Sequence, residues 1–444
     1  MIVSATKGPY GHLKELPASM SVEWDPKVCQ NQRTPLRIPD RHIAVFLREK
    51  NIKAMTMWER VQIDTTGALR DRFPAKGHYK DRGAYDDYFL VKGDASIEVE
   101  QAPNDKDTPI GIELSTPVLP FIPSSLGLIN EVLSALFEAF DVSVNASCGL
   151  HVHVGNGDKG YDLAWLQSIA SLLWSGSALL DCLHPVHRGP AHLYSLGLHH
   201  FATLAHTREI MRYKGPFAPT LQSVARPFFR ETPGSRWSND PAYYMRREAF
   251  YDSWIQDPLM IWCGLQQLKE TKTIDELLGY MFHVNPGFEG KRLAYNFRNL
   301  RFQNDDESLV PRTIEFRQHE GTVDIEAICM WTRVVCSLVE ACRDNPYRAE
   351  NAALKAVNAT LGLGRYDAID ILRDIGLRTE ADYYQPQLRL RDVGVVELVE
   401  PGQEQDPVQE NHNKPGRASK TAKNAWAALK SIRGCYRARD DSDS

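Results

Sequence analysis

The 444-residue sequence contains no Cys-x-x-Cys pair and no Walker phosphate loop. The first absence excludes zinc ribbons and thioredoxin-type redox sites, and the second excludes the P-loop type of nucleotide cradle. Charge of one sign is also missing: 52 Lys and Arg against 57 Asp and Glu leave a net charge of -5. A surface coated for nucleic acid or anionic lipid would carry a basic excess. The N-terminus lacks an apolar run of signal-peptide length. The most apolar long stretch, Leu163 to Leu183, is interrupted by Gln167, Gly176, Asp181 and several serines. It reads as a buried helix, short of a membrane span. Eight cysteines without a framework of spacings read as free thiols in a reducing compartment, so the expected location is the cytoplasm.

What is present is a mixture of helical and strand-like patterns. Residues 42–55 begin as a helix with Ile43, Phe46 and Leu47 on one side, and residues 85–100 alternate through Tyr88, Leu90 and Ile97. Ile110-Gly-Ile-Glu-Leu-Ser reads as a strand ended by Pro117. Residues 124–140 form a helix that Ser125 can cap, with Leu126, Ile129, Leu133 and Leu136 sharing a face. Residues 142–154, 295–302 and 311–319 are strand-like. Residues 325–342 are helical, with Ile328, Trp331, Val335 and Leu338 on one side. Residues 352–379 hold two short helical patterns broken at Gly362 and Gly364. Strands separated by helices of irregular length, without βαβ alternation, predict an α+β fold with an antiparallel sheet. Residues 1–40 show little periodicity. From Glu400 the composition turns polar and reads as disordered, with one short basic helix possible around Trp426, Leu429 and Ile432.

Three segments place polar residues at period two. In Thr313-Ile-Glu-Phe-Arg-Gln-His319, the spacing puts Glu315, Arg317 and His319 on one face and Ile314 and Phe316 on the other. In Leu150-His-Val-His-Val154, His151 and His153 oppose three apolar residues. In Ile112-Glu-Leu114, Glu113 stands between two apolar neighbours. Any half-exposed strand alternates, an isolated His-x-His occurs in plain solvated strands, and Glu-x-Arg is often a cross-strand ion pair. The three faces together, however, carry Glu, His and Arg where solvated faces usually carry Lys, Thr and Ser. Carboxylates and neutral imidazoles ligate metals, and a guanidinium forks onto phosphate. Gly149, Gly155 and Gly157 flank the histidines and allow close backbone approach. The combination points to a polar cleft on one sheet face, with helices covering the other.

At these residues the sequence resembles the amidoligase family, carboxylate–amine ligases of the glutamine synthetase and γ-glutamylcysteine synthetase type. The resemblance rests on Thr108–Leu119 (TPIGIELSTPVL), Cys148–Gly155 (CGLHVHVG) and Thr313–Asp324 (TIEFRQHEGTVD), in that order. Asp94-Ala-Ser96 and Tyr295-Asn-Phe-Arg-Asn-Leu300 are similar to intervening family steps, and the likeness covers about residues 41–345. It implies a curved antiparallel sheet shaped as a funnel, with helices on its outer face. It also implies ATP and Mg²⁺ as cofactors, and a small-molecule or peptide carboxylate and amine as substrates, with no nucleic acid or membrane partner. Arg317, Glu315 and His319 are then the expected catalytic residues. Glu113, His151, His153 and Glu315 are the expected metal ligands. Arg317, His153 and Arg188 are the expected nucleotide contacts, and Glu320 lies beside them. The domain plan that follows is an irregular segment over 1–40, a catalytic domain over 41–345, a helical extension over 346–399 and a polar tail over 400–444.

One departure stands out. The family opens on a Gly-x-Glu-x-Glu strand whose carboxylates hold metal, and nothing in residues 1–40 matches; Glu23 in Val-Glu-Trp-Asp-Pro is a poor substitute. The sheet is therefore expected to be short of its first strand, in a shortened chain or in a member that has lost part of its metal site. Two other functions stay open on this reading. One is a non-catalytic binding protein that keeps the fold. The other is a metal-dependent hydrolase built on the His-x-His pair with ligands among His187, His192, His199 and His200.

Overall fold

The computed structural model describes residues 2–4, 38–66, 87–99, 110–185, 188–189, 192, 194–207, 258–284, 291–300, 312–360 and 366–397. The expectations for most of 1–40, for the tail over 400–444 and its Trp426 helix, and for Gly362, Gly364 and His187 lie outside these residues. The chain divides into two compact units, one of residues 1–160 and 297–336, the other of residues 161–296 and 337–444.

In chain order the strands are β1 (Ile2–Ser4), β2 (Ala54–Thr56), β3 (Phe89–Gly93), β4 (Ile110–Ser115), β5 (Asp141–Ser143), β6 (Gly149–Gly155), β7 (Tyr295–Asn296) and β8 (Thr313–Glu320). The helices used below are α1 (Ile38–Glu49), α2 (Met57–Thr66), α3 (Pro123–Ala139), α4 (Leu163–Leu180), α5 (Pro258–Glu270), α6 (Ile274–Met281), α7 (Ile325–Asp344), α8 (Pro346–Thr360), α9 (Ala368–Asp374) and α10 (Arg378–Glu397).

The first unit contains a five-stranded sheet in the order β2-β3-β4-β1-β5. All its pairings are antiparallel except β2 with β3, which run parallel. The α+β expectation holds, but the strands form separate small sheets in place of one continuous antiparallel one. A second correction concerns the N-terminus. A strand does open the sheet: Ile2–Ser4 pairs with β4 on one side and β5 on the other. It carries Ile-Val-Ser and no carboxylate.

Helices α1 and α3 cover one face of this sheet. Ile43, Ala44, Phe46 and Leu47 of α1 pack with Val91, Ile112, Val132 and Leu136, as the helical spacing requires. Phe46 meets Phe140 edge-on at 5.3 Å. Helix α1 stops at Asn51, whose φ of 61° turns the chain left-handed. The Ile52 N–H then reaches the Leu47 carbonyl and the Asn51 N–H the Arg48 carbonyl, both at 2.9 Å, which closes the helix end. Helix α2 starts on a reciprocal cap. The Glu59 N–H donates to Thr56 Oγ1 at 3.1 Å, and the Thr56 N–H donates to Glu59 Oε2 at 2.7 Å. Arg48 neutralises the same carboxylate at 3.2 Å. Helix α3 departs from expectation: Ser125 lies inside it and Pro123 opens it, with no side-chain cap. Proline has no N–H to satisfy at the first helical position, so the hydroxyl is not required there.

The strand-like stretch over 142–154 is two strands. Asn145 breaks it by accepting from the Ser147 N–H at 3.0 Å, and the Cys148 N–H bonds back to the Asn145 carbonyl at 2.9 Å. Strand β6 then pairs antiparallel with β8. Past the end of β8, Gly321 crosses so close to Cys148 that a Cβ there would lie 2.4 Å from the Cys148 Cβ. The stretch over 295–302 is likewise only briefly extended; after β7 the chain tightens into a 3₁₀ turn over Arg298–Leu300.

In the second unit α4 is capped by Asp162, whose side chain accepts from the Trp165 N–H at 2.8 Å. By length and mean hydropathy the Leu163–Leu183 stretch does reach the range of a membrane span, and 67% of it is buried inside the fold. It packs on α5 and α8 as a core helix. Trp174 lies against Gly264 of α5 and donates to the Ile261 carbonyl at 2.9 Å. Helices α6 and α9 start on caps from Thr273 and Asp367.

Two glycine substitutions check this packing by urea denaturation. Gly321→Ala overpacks against Cys148 and should cost about 1–3 kcal/mol. Gly127→Ala, in the interior of α3 with nothing within 4 Å of the added carbon, should instead stabilise by about 0.5–1 kcal/mol. A neutral Gly321→Ala would contradict the close crossing.

Candidate functional site

The site is built on the pairing of β6 with β8 inside the first unit. His153 stands opposite Glu315, Val152 opposite Phe316 and Val154 opposite Ile314. Cross-strand partners share a face, so the register separates an apolar face from one bearing His153 and Glu315. His151, two residues before His153, joins the polar face. One oxygen, Glu315 Oε1, gathers the basic groups: Arg317 Nη1 is in direct contact with it, His151 Nδ1 lies at 3.5 Å and His153 Nε2 at 3.6 Å. The Glu315 side chain is only 8% exposed and that of Arg317 14%. A carboxylate so far from water is tolerated only beside a cation, and Arg317 supplies it.

His319 is not on this face. Between Leu150 and Val152 the register slips: one residue of β6 faces two of β8. This bulge rotates the rest of β8 by half a period, so His319 pairs with Leu150 on the apolar side. Its ring is buried 5.7 Å from the Trp331 ring of α7, and its Nδ1 lies 2.7 Å from the Glu320 carbonyl. The simple alternation that put Glu315, Arg317 and His319 in one row fails at the bulge.

Glu113 comes from the other sheet. In the β3–β4 register it stands opposite Lys92, on the face away from the core residues Val91 and Ile112. Lys92 Nζ lies 2.8 Å from Glu113 Oε1, and the Ser115 hydroxyl donates to the same oxygen at 3.3 Å. Glu113 and Lys92 also influence the ionisation of His153, in opposite senses. The turn after β3 helps hold β4. Asp94 Oδ1 accepts from the Ser96 N–H at 2.8 Å, and Gly111 passes so close that a Cβ would lie 2.8 Å from the Asp94 carbonyl. The Asp-x-Ser step is thus a turn that seats the strand bearing Glu113.

His153 is held from behind. Its Nδ1 lies 3.1 Å from Thr313 Oγ1, which also accepts from Asn299 Nδ2 at 3.3 Å. The side chain keeps 46% of its surface open, yet the protein crowded round the ring is enough for desolvation to dominate its ionisation. Desolvation pushes the pKa down, Glu315 pulls it up, Arg317 pushes it down, and Glu113 and Lys92 add smaller opposed effects. The result is a neutral imidazole at pH 7. Lys92, Ser115, Thr313 and Asn299 escaped the sequence reading. Thr313 opens the Glu-x-Arg run, and Asn299 sits in the Tyr295–Leu300 step, so both were adjacent to the signal.

Arg188 belongs to the second unit. It is 2% exposed, with Nη1 within 3.2 Å and 3.3 Å of the two ring nitrogens of His192. His199 and His200 are buried in the same unit, and His199 Nε2 is 2.6 Å from the Trp174 carbonyl. Among the described residues no group of three or more His, Cys, Asp or Glu is arranged to hold a metal ion by itself.

The model of the family described as "Putative amidoligase enzyme" matches residues 50–200 and 211–339. No curated protein and no solved structure matches.

The ionisation of His153 is open to a direct check. With its folded-state pKa below the ordinary 6.5, the unfolded chain takes up a proton near pH 6.5 that the folded chain refuses. Stability should therefore fall as pH drops below about 6.5, and the fall should be smaller in His153→Gln. A histidine resonance assigned to His153 and titrating above 6.5 would contradict the account.

Proposed function

The chain belongs to the amidoligase family, and on that premise we propose that it joins a carboxylate to an amine in a reaction that consumes ATP and needs Mg²⁺. The observation that carries the proposal is the convergence of Arg317, His151 and His153 on one oxygen of Glu315, with Glu113 within electrostatic reach of His153. Amide formation from a free carboxylate is uphill in water. Bound Mg-ATP would supply the phosphoryl group that turns the carboxylate into an acyl phosphate with release of ADP; the amine then displaces inorganic phosphate and sheds a proton.

The donor set suits that chemistry. Mg²⁺ is commonly held by one or two carboxylates together with substrate phosphates, not by a closed protein cage. Glu113 and Glu315 offer that number, so they fit a cation that arrives with its nucleotide. Arg317 presents a planar fork toward the polar face and would neutralise charge on the transferring group. His153, kept neutral by its surroundings, offers a ring nitrogen to the cation or to the proton shed by the amine. His151 shares the face and supports the same carboxylate. The substrates are small molecules or peptides bearing the carboxylate and the amine. A funnel-shaped sheet of the glutamine synthetase type is part of this reading. So is a cytoplasmic location.

A second reading has its own observation. Nothing in residues 1–40 matches the acidic opening strand that the resemblance implies, and β1 carries Ile-Val-Ser, so the metal site would be poorer in donors. A protein that binds the ligands without joining them would fit that loss.

The test is ADP release with Mg²⁺ and a mixed pool of amino acids and peptides. Arg317→Lys keeps the charge beside buried Glu315 and loses the fork. It should fold normally and lower turnover by roughly 10²–10³-fold, the scale of one oriented donor at a developing anion. Equal turnover would remove Arg317 from the mechanism. Nucleotide binding without turnover on any pool would favour the second reading, and absence of nucleotide binding would defeat the ligase.

A further inference from the structure

The two acid–base pairs of the site differ in how tightly they are closed. Glu315 and Arg317 are held out of water, with side chains 8% and 14% exposed. Lys92 and Glu113 remain open, at 27% and 41%. A buried pair is expensive to separate, because each partner would be left as an uncompensated charge. An exposed pair is worth less than about a factor of five in an equilibrium. The Lys92–Glu113 pair is therefore the one that a ligand can open.

Strand register makes this pair a built feature. Lys92 and Glu113 are cross-strand partners on the face away from the core. Both the Lys92 ammonium and the Ser115 hydroxyl contact Glu113 through Oε1. They fix the carboxylate's orientation through one oxygen while the group remains 41% exposed. Any cation that takes Glu113 must compete with Lys92, and once displaced the ammonium swings free on a four-carbon stem beside the same site. With both pairs closed, the two carboxylates and the two cations cancel, and neither a lone cation nor a lone anion gains much. A cation and an anion arriving together satisfy both halves of the opened pair.

We propose that Lys92 is an anion-binding residue of this site, held by Glu113 until a divalent cation enters with a polyphosphate, so that the pair couples the binding of the two. The proposal rests on the Mg-nucleotide reading above and assigns Lys92 a part that the family motifs do not touch. Lys92 contacts the phosphate of the bound ligand, while Glu113 contacts the cation.

Titration calorimetry on the full chain tests it with three probes: Mg²⁺ alone, a non-hydrolysable ATP analogue in EDTA, and the analogue with Mg²⁺. Lys92→Met should bind Mg²⁺ alone as well as the wild type or more tightly, because its competitor for Glu113 is gone. The same variant should bind the Mg²⁺-analogue complex about tenfold more weakly or worse, the scale of one lost charge-assisted hydrogen bond. Lys92→Arg should keep most of the complex affinity. These opposite signs separate a coupling residue from a structural one, which would weaken both probes. Loss of both, or no change in either, overturns the proposal while leaving the ligase reading intact if the wild type still binds the complex. Failure of the wild type to bind the complex defeats both.

Discussion

A buried carboxylate with three basic neighbours on one oxygen is the constraint from which the site follows. Glu315 is 6% exposed and cannot sit in that position without Arg317 beside it. Strand register then brings His153 directly opposite, and His151 joins the same oxygen from two residues away. The apolar side of the same two strands supplies the burial that holds the arrangement: Ile314 and Phe316 are fully enclosed. The bulge beside His151 limits the cluster by sending His319 to the core side, against Trp331. The polar face is therefore short, and its chemistry is concentrated in a few residues.

Much of this was legible in the chain because two simple periods govern it. The helical spacing of Ile43, Phe46 and Leu47 foretold the face of α1, and the alternation in 150–154 and 313–317 foretold which side chains share a side. What stayed hidden depended on events that alternation does not encode. A bulge is one extra residue opposite a partner far away in sequence, so His319 could not be placed from β8 alone. The break at Asn145 divided one strand-like run between two sheets, because a short amide side chain can close a turn that the hydropathy pattern ignores. A lone lysine on a strand looks like an ordinary solvated residue, and only the register opposite Glu113 marks Lys92 out. The start of α3 was misplaced for a local reason, since Pro123 removes the need for the hydroxyl that Ser125 offers.

The two acid–base pairs also place the family's chemistry on unequal footing within this chain. The Glu315–Arg317 pair is enclosed, as the proposed clamp requires, whereas the Glu113–Lys92 pair is open, as the proposed exchangeable contact requires. An amide-forming enzyme needs both: a fixed cation to receive developing phosphoryl charge, and a carboxylate that can give up its partner for a metal. The three residues of β1 complete the sheet by backbone pairing yet bring no oxygen donor from a carboxylate. The question for this member of the family is whether Glu113 and Glu315 suffice without a further acidic strand.

A crystal structure grown with Mn²⁺ and a non-hydrolysable ATP analogue addresses that question most directly, since Mn²⁺ reports its own position by anomalous scattering. The account predicts the metal about 2 Å from a Glu113 carboxylate oxygen, with phosphate oxygens facing Arg317 on the polar side of β6 and β8. Metal and nucleotide bound away from this face would contradict it.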